Sequence, residues 1–187
     1  MNKYPQYAQV GDKKYKINTD FRVAIRCNQI AEDANIPDEE RALAIIYLLY
    51  GDEGLQDNKN WKVLLQIALK YLKCGKEIEE NNKKEEVDMD LQQDWNYIQT
   101  SFFSDYNIDL TESQMHWWQF YDLLCGLTDK CILSRVRFVR NFDISQIKDS
   151  KEREKWIKQK QQVELKREKT SEEKRLDELF ERQLRKE

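Results

Sequence analysis

His116 is the only histidine in the 187 residues, so any acid-base or metal chemistry it does depends on its neighbours. Ser113 stands three residues earlier, one turn away on a helix, which is the reach a Ser-His dyad would need. No glycine elbow flanks Ser113 and no oxyanion-hole sequence accompanies it, so acyl transfer is not expected. A metal site would need several ligands converging on one point. No cysteine or carboxylate falls at ligand spacing around His116, and Cys27, Cys74, Cys125 and Cys131 contain no C-x-x-C pair. Those four read as reduced thiols filling core space. Asp38, Glu39 and Glu40 are consecutive, do not face one another, and suit a helix N-terminus better than an acid-base pair. Neither glycine pattern that cradles phosphate is present. The expectation is therefore no enzyme, with no catalytic, cofactor or metal residues and no small-molecule substrate. His116 should be a packed, hydrogen-bonded side chain.

The elements that would position such residues read as helices. Five glycines and two prolines are few, and with 36% charged residues and 40% apolar ones they favour an all-α protein with a real core. Tyr7 to Ile17 alternates around Gly11-Asp12 and predicts a minor N-terminal hairpin that decorates the helices. Asn18 or Thr19 should cap a helix running to about Asn35, and Pro37 opens a second, acid-led helix that Gly51 to Gly54 breaks. A third runs from Trp61 to Gly75, completing a three-helix N-terminal lobe over 1–75. Residues 76–88 have almost nothing to bury and read as a polar linker between lobes. An aromatic-rich lobe follows over 89–148, with Asp90 or a neighbour capping one helix and Thr128 another. In the latter Ile132, Leu133, Val136 and Val139 should face inward, and Arg135, Arg137 and Arg140 outward. Residues 149–187 form a charged helical arm. The longest apolar run, Ala42 to Tyr50, is far too short to span a membrane, and no leader pattern opens the sequence; a cytosolic protein is expected.

Asp105 to Leu127 is the stretch around which the rest is organised. Thr111 and Gln114 read as a capping box, Leu110 and Met115 as its hydrophobic staple, and Gly126 as a left-handed stop. Between them Trp117, Trp118, Phe120 and Tyr121 spread apolar surface over more than half the helix circumference, so this helix is core or interface. In the arm, Leu176, Leu179, Phe180 and Leu184 make one apolar stripe on a charged helix. These eight residues are the candidate partner-binding positions, with self-association an alternative use of the stripe. Net charge is −3, split as about −6 before Lys148 and +3 after it. So mixed a tail argues against a nucleic-acid arm.

The runs DYNIDL, HWWQFYDLL and SRVRFVRNFDISQIKD, with INTDFRVAIR and LKYLKCGKE earlier, resemble the siphophage "gene product fifteen" family. The likeness spans most of residues 17–155. It implies a tail assembly chaperone, encoded beside the tape measure protein, that binds that protein in the host cytoplasm and keeps it soluble. The alternatives are a nucleic-acid-associated phage protein, using Arg135, Arg137 and Arg140 on phosphates, and a structural virion component.

Overall fold

The computed structural model describes residues 4–76 and 88–166. Within them the protein is mainly α-helical, with one two-stranded sheet at the start. Strands β1 (Tyr7–Val10) and β2 (Lys13–Lys16) pair antiparallel with Ala8 opposite Tyr15. Gly11 turns the two-residue loop at φ 57, a conformation that side chains disfavour. Because strand side chains alternate in direction, Ala8 and Tyr15 both point inward and are buried. The hairpin is thus part of the core and not the decoration the sequence suggested. The Tyr15 ring meets Tyr50 edge-on at 6.2 Å, and its hydroxyl donates to the Asp57 carboxylate, which Lys13 and Asn60 also approach.

That cluster makes the hairpin acid-sensitive. The Asp57 carboxyl is held below its ordinary 3.8, first by the Tyr15 hydroxyl and then by Asn60. A carboxyl depressed by folding adds stability that is complete above its unfolded value and fades as pH falls through the folded one. Asp57→Asn should therefore melt below the parent at about pH 7, with the gap closing at about pH 2. Equal melting temperatures at neutral pH would show that the cluster contributes nothing.

Helix α1 (Phe21–Glu32) is capped by Asp20, whose carboxylate accepts from the Arg22 N–H at 2.8 Å. Neither Asn18 nor Thr19 serves. The Thr19 carbonyl accepts from the Trp117 N–H at 2.8 Å, which holds the chain extended up to Asp20. The helix ends three residues before Asn35 because the Asp33 side chain accepts from the Asn35 N–H, closing a local turn that competes with helix. Helix α2 (Asp38–Gln56) kinks at Gly51, where φ is 65 and ψ −160, at the start of the predicted break. Its apolar run buries Ile45, Ile46 and Leu49, and leaves Leu48 half-buried. Helix α3 (Trp61–Leu72) follows and ends on Lys73; Cys74 and not Gly75 takes the first left-handed position, at φ 54, with its N–H on the Tyr71 carbonyl and the Gly75 N–H on the Lys70 carbonyl.

Helix α4 (Trp95–Tyr106) starts later than expected. Asp90 spends its carboxylate on the Gln92 and Gln93 N–H groups, forming a turn that precedes the helix. Asn107 ends α4 in the left-handed conformation at φ 54. Helix α5 (Trp117–Cys125) is only nine residues long. Thr111 does not cap it: the Asp109 carboxylate takes both the Thr111 N–H and hydroxyl, so the box with Gln114 never forms. Gly126 sits at φ −88, an ordinary value and not a left-handed one. In α6 (Ile132–Asn141) the cap is Cys131, since Thr128 is held by Asp105 through its N–H and hydroxyl. Helix α7 (Ser150–Val163) is capped by Asp149 and returns against α6, where Trp156 stacks on Phe142 at 4.0 Å.

The expected division at 76–88 does not divide the core. Tyr15, Phe21, Ile46 and Leu64 belong to one continuous apolar cluster with Ile98, Phe102, Trp117, Phe120 and Leu133. Phe21 on α1 stacks on Phe120 on α5 with ring centres 4.8 Å apart. The two sequence halves bury their apolar faces against each other in this one core. Of the cysteines, Cys27 and Cys131 fill core space, whereas Cys74 is half-buried and Cys125 is exposed. Burial pushes the Cys27 and Cys74 thiols up to about 12.

Candidate functional site

The four aromatic residues singled out on α5 separate by burial. Trp117 and Phe120 are 1% and 0% exposed and belong to the core, where no partner reaches them. Trp118 and Tyr121 are half-buried. They form the middle of an aromatic ledge that other parts of the chain complete. His116 sets its start: Nδ1 accepts from the Trp118 N–H at 3.0 Å, and Nε2 lies 2.9 Å from the Pro5 carbonyl. One ring nitrogen accepts and the other donates, which is the neutral imidazole with its proton on Nε2. The histidine is a helix cap that also ties down the N-terminal segment.

That segment carries Tyr4 onto the ledge. Its ring stacks on His116 at 5.0 Å and stands edge-on to Trp118 at 6.5 Å. Its hydroxyl donates to the Asp122 carboxylate at 2.8 Å, which holds the phenol in its protonated form, above its ordinary range. Beneath, the Trp118 indole N–H donates to the Tyr71 carbonyl at 2.9 Å and its ring stacks on Tyr71 at 6.1 Å. Gly75 leaves room for the same indole, since a Cβ there would stand 3.0 Å from it. Lys76 lies 4.9 Å over the Tyr121 ring, and the bond it donates to the Tyr121 hydroxyl raises its pKa. Amphipathic rings with apolar bodies and polar tips, each held in place by a hydrogen bond, are the side chains that anchor protein interfaces. Sequence reasoning misses Tyr4, Tyr71 and Lys76. Nothing at their own positions marks them: the return of residues 4–5 to α5 brings Tyr4, and the end of α3 brings Tyr71 and Lys76.

The other candidate positions fare differently. Leu176, Leu179, Phe180 and Leu184 lie outside the described residues. Of the three arginines expected to point outward, Arg140 does not: it is 10% exposed and bound to Asp94, itself 1% exposed. Arg137 pairs with Asp88 at 3.0 Å. Two of the three cations that a phosphate-binding reading needs are already committed to carboxylates. Among the described residues no cluster of three or more His, Cys, Asp or Glu side chains is placed to hold a metal ion, and no helix is long and apolar enough to cross a membrane.

Compared with known proteins, residues 2–165 match the family described as "Bacteriophage Gp15 protein". No curated protein and no solved structure matches the chain.

Proposed function

This chain belongs to the bacteriophage Gp15 protein family, and from that premise we propose that it is a tail assembly chaperone whose aromatic ledge binds the tape measure protein. In this reading it acts in the host cytoplasm, without turnover of any substrate, by covering apolar helical surface that would otherwise aggregate. The observation that carries the reading is the ledge: Tyr4, Trp118 and Tyr121 keep solvent-facing area while hydrogen bonds to Asp122, Tyr71 and Lys76 fix their geometry. Side chains ordered before binding lose little entropy on binding, which favours affinity per unit of area covered.

Co-expression with the tape measure protein of the same phage tests it. The parent chain should raise the soluble fraction of that protein, and the rescue should persist at about 0.5 M salt, because apolar burial is little screened. Tyr4→Ala combined with Tyr121→Ala should lower the rescued fraction several-fold while circular dichroism stays unchanged. Replacing Leu176, Leu179, Phe180 and Leu184 by Ser tests the arm separately. No rescue by the parent chain defeats the chaperone reading; full rescue by the ledge variant moves the contact elsewhere. Recovery of the chain in stoichiometric amount from purified particles would make it a virion component instead.

A further inference from the structure

Charge on this molecule is sorted by helix. Helix α2 carries five acidic residues and one basic one, and α7 carries five basic and two acidic. On α2, Asp38 pairs with Arg41 and Glu53 with Lys13, whereas Glu39 and Glu40 are exposed and enter no ion pair among the described residues. On α7 no cation meets a carboxylate among the described residues. Arg153 donates to the Ile147 carbonyl and Lys160 to the Phe142 carbonyl, neutral acceptors that leave the positive charge uncompensated. Arg135 on α6 is exposed and has no carboxylate partner among the described residues either.

Each of these charged faces has an apolar centre. Residues three and four apart share a helix face, so Glu40, Leu43, Ala44 and Tyr47 form one stripe on α2. Leu43 and Ala44 in it are half-buried, and Tyr47 is 50% exposed. On the other face, the stack of Trp156 on Phe142 leaves Phe138 and Ile157 at 60% and 36% exposed. Arg135 lies one turn before Phe138, and Arg153 one turn before Ile157. Two copies of either face repel each other, but one face against the other pairs its charges and covers Tyr47, Phe138 and Ile157 together. An apolar centre with a charged rim is the anatomy of an interface, and here the rim of opposite sign is on the same chain. We propose that the α6–α7 face of one copy docks on the α2 face of a second copy, a head-to-tail contact between unlike surfaces. It uses no residue of the aromatic ledge and does not depend on the tape-measure reading.

Sedimentation velocity of the full chain tests the proposal. At about 0.05 M salt the parent should sediment faster as its concentration rises, and at about 0.5 M salt, where charges are screened beyond about 4 Å, the association should weaken several-fold. Glu39→Lys with Glu40→Lys makes both faces basic, and Arg135→Glu with Arg153→Glu makes both acidic. Neither variant should associate alone. Mixed in equal amounts the two should associate again, because each face then meets one of opposite sign. Arg153→Glu also gives up the bond to the Ile147 carbonyl. If circular dichroism shows that variant misfolded, Lys158→Glu takes its place, since Lys158 is exposed. A parent chain that stays monomeric throughout, a variant that associates alone as strongly as the parent, or a mixture that stays monomeric overturns the proposal. Association that survives both reversals and is lost when residues 167–187 are removed overturns it too, and assigns self-contact to the arm.

Discussion

Arg140→Met is expected to cost about 3–5 kcal/mol of stability, the penalty for stranding a buried carboxylate. The Asp94 side chain is 1% exposed, and both its oxygens sit 2.7 Å from the Arg140 guanidinium. Without the arginine, Asp94 retains only the Asp90 N–H at 3.0 Å, one neutral donor for a full charge out of water. The same guanidinium also donates to the Asp88 and Val163 carbonyls, so three separated stretches of chain meet at one side chain. Asp94→Leu combined with Arg140→Met should recover most of the loss, because replacing both charges removes the desolvation penalty along with the attraction. Urea unfolding of the two single variants and the double variant measures the coupling directly. A single-variant loss below about 1 kcal/mol would place the pair in solvent-screened territory, contrary to its burial.

That ion pair also shows where the sequence stops being informative. Asp88, Asp90 and Asp94 are three like residues within seven positions, yet their roles in the fold differ. Asp88 pairs with Arg137, Asp90 closes a turn, and Asp94 is buried. The residue type permits all three roles at every position. The turn at Asp90 is local, but what assigns Asp88 and Asp94 is the approach of α6 to α4, a tertiary fact that arises more than forty residues away. Arg140 reads as outward-facing for the same reason, since on its own helix it continues a polar face and only the carboxylate on α4 draws it in. The stripe on α6 was legible because its periodicity is local: of Ile132, Leu133, Val136 and Val139, Leu133 and Val136 are buried and the other two half-buried. Helix starts failed wherever another contact, local or distant, claimed the expected cap. At Thr111 the capping-box spacing competes with the Asx turn from Asp109, and at Asn18 and Thr19 a bridge to His116 keeps the backbone extended for one more residue. The ledge was half legible. Aromatic density on α5 announced that something must cover it, but which ring faces inward depends on the helix starting at Trp117, not at Glu112.

The shift of that helix start decides the second large effect, which falls on Trp117 and not on its neighbour. Trp117→Ala should destabilise the fold by about 3–5 kcal/mol, since it removes a fully enclosed indole and leaves a cavity that rigid neighbours only partly fill. The indole is 1% exposed, stacks on Phe120 at 5.7 Å, and donates to the Leu72 carbonyl at 3.0 Å across the junction of α3 and α5. Losing it also orphans that carbonyl, a further cost that Trp117→Phe would share without the full cavity. Trp118→Ala should cost less, because that ring is only partly buried and its removal opens a surface notch, not a void. The two substitutions should separate again in function. In the co-expression assay Trp117→Ala should lose tape measure rescue only in proportion to its own loss of folded protein, whereas Trp118→Ala should lose rescue while still melting near the parent. If Trp118→Ala proves the more damaging to the melt, the ledge is core after all. The partner surface would then have to be sought away from α5.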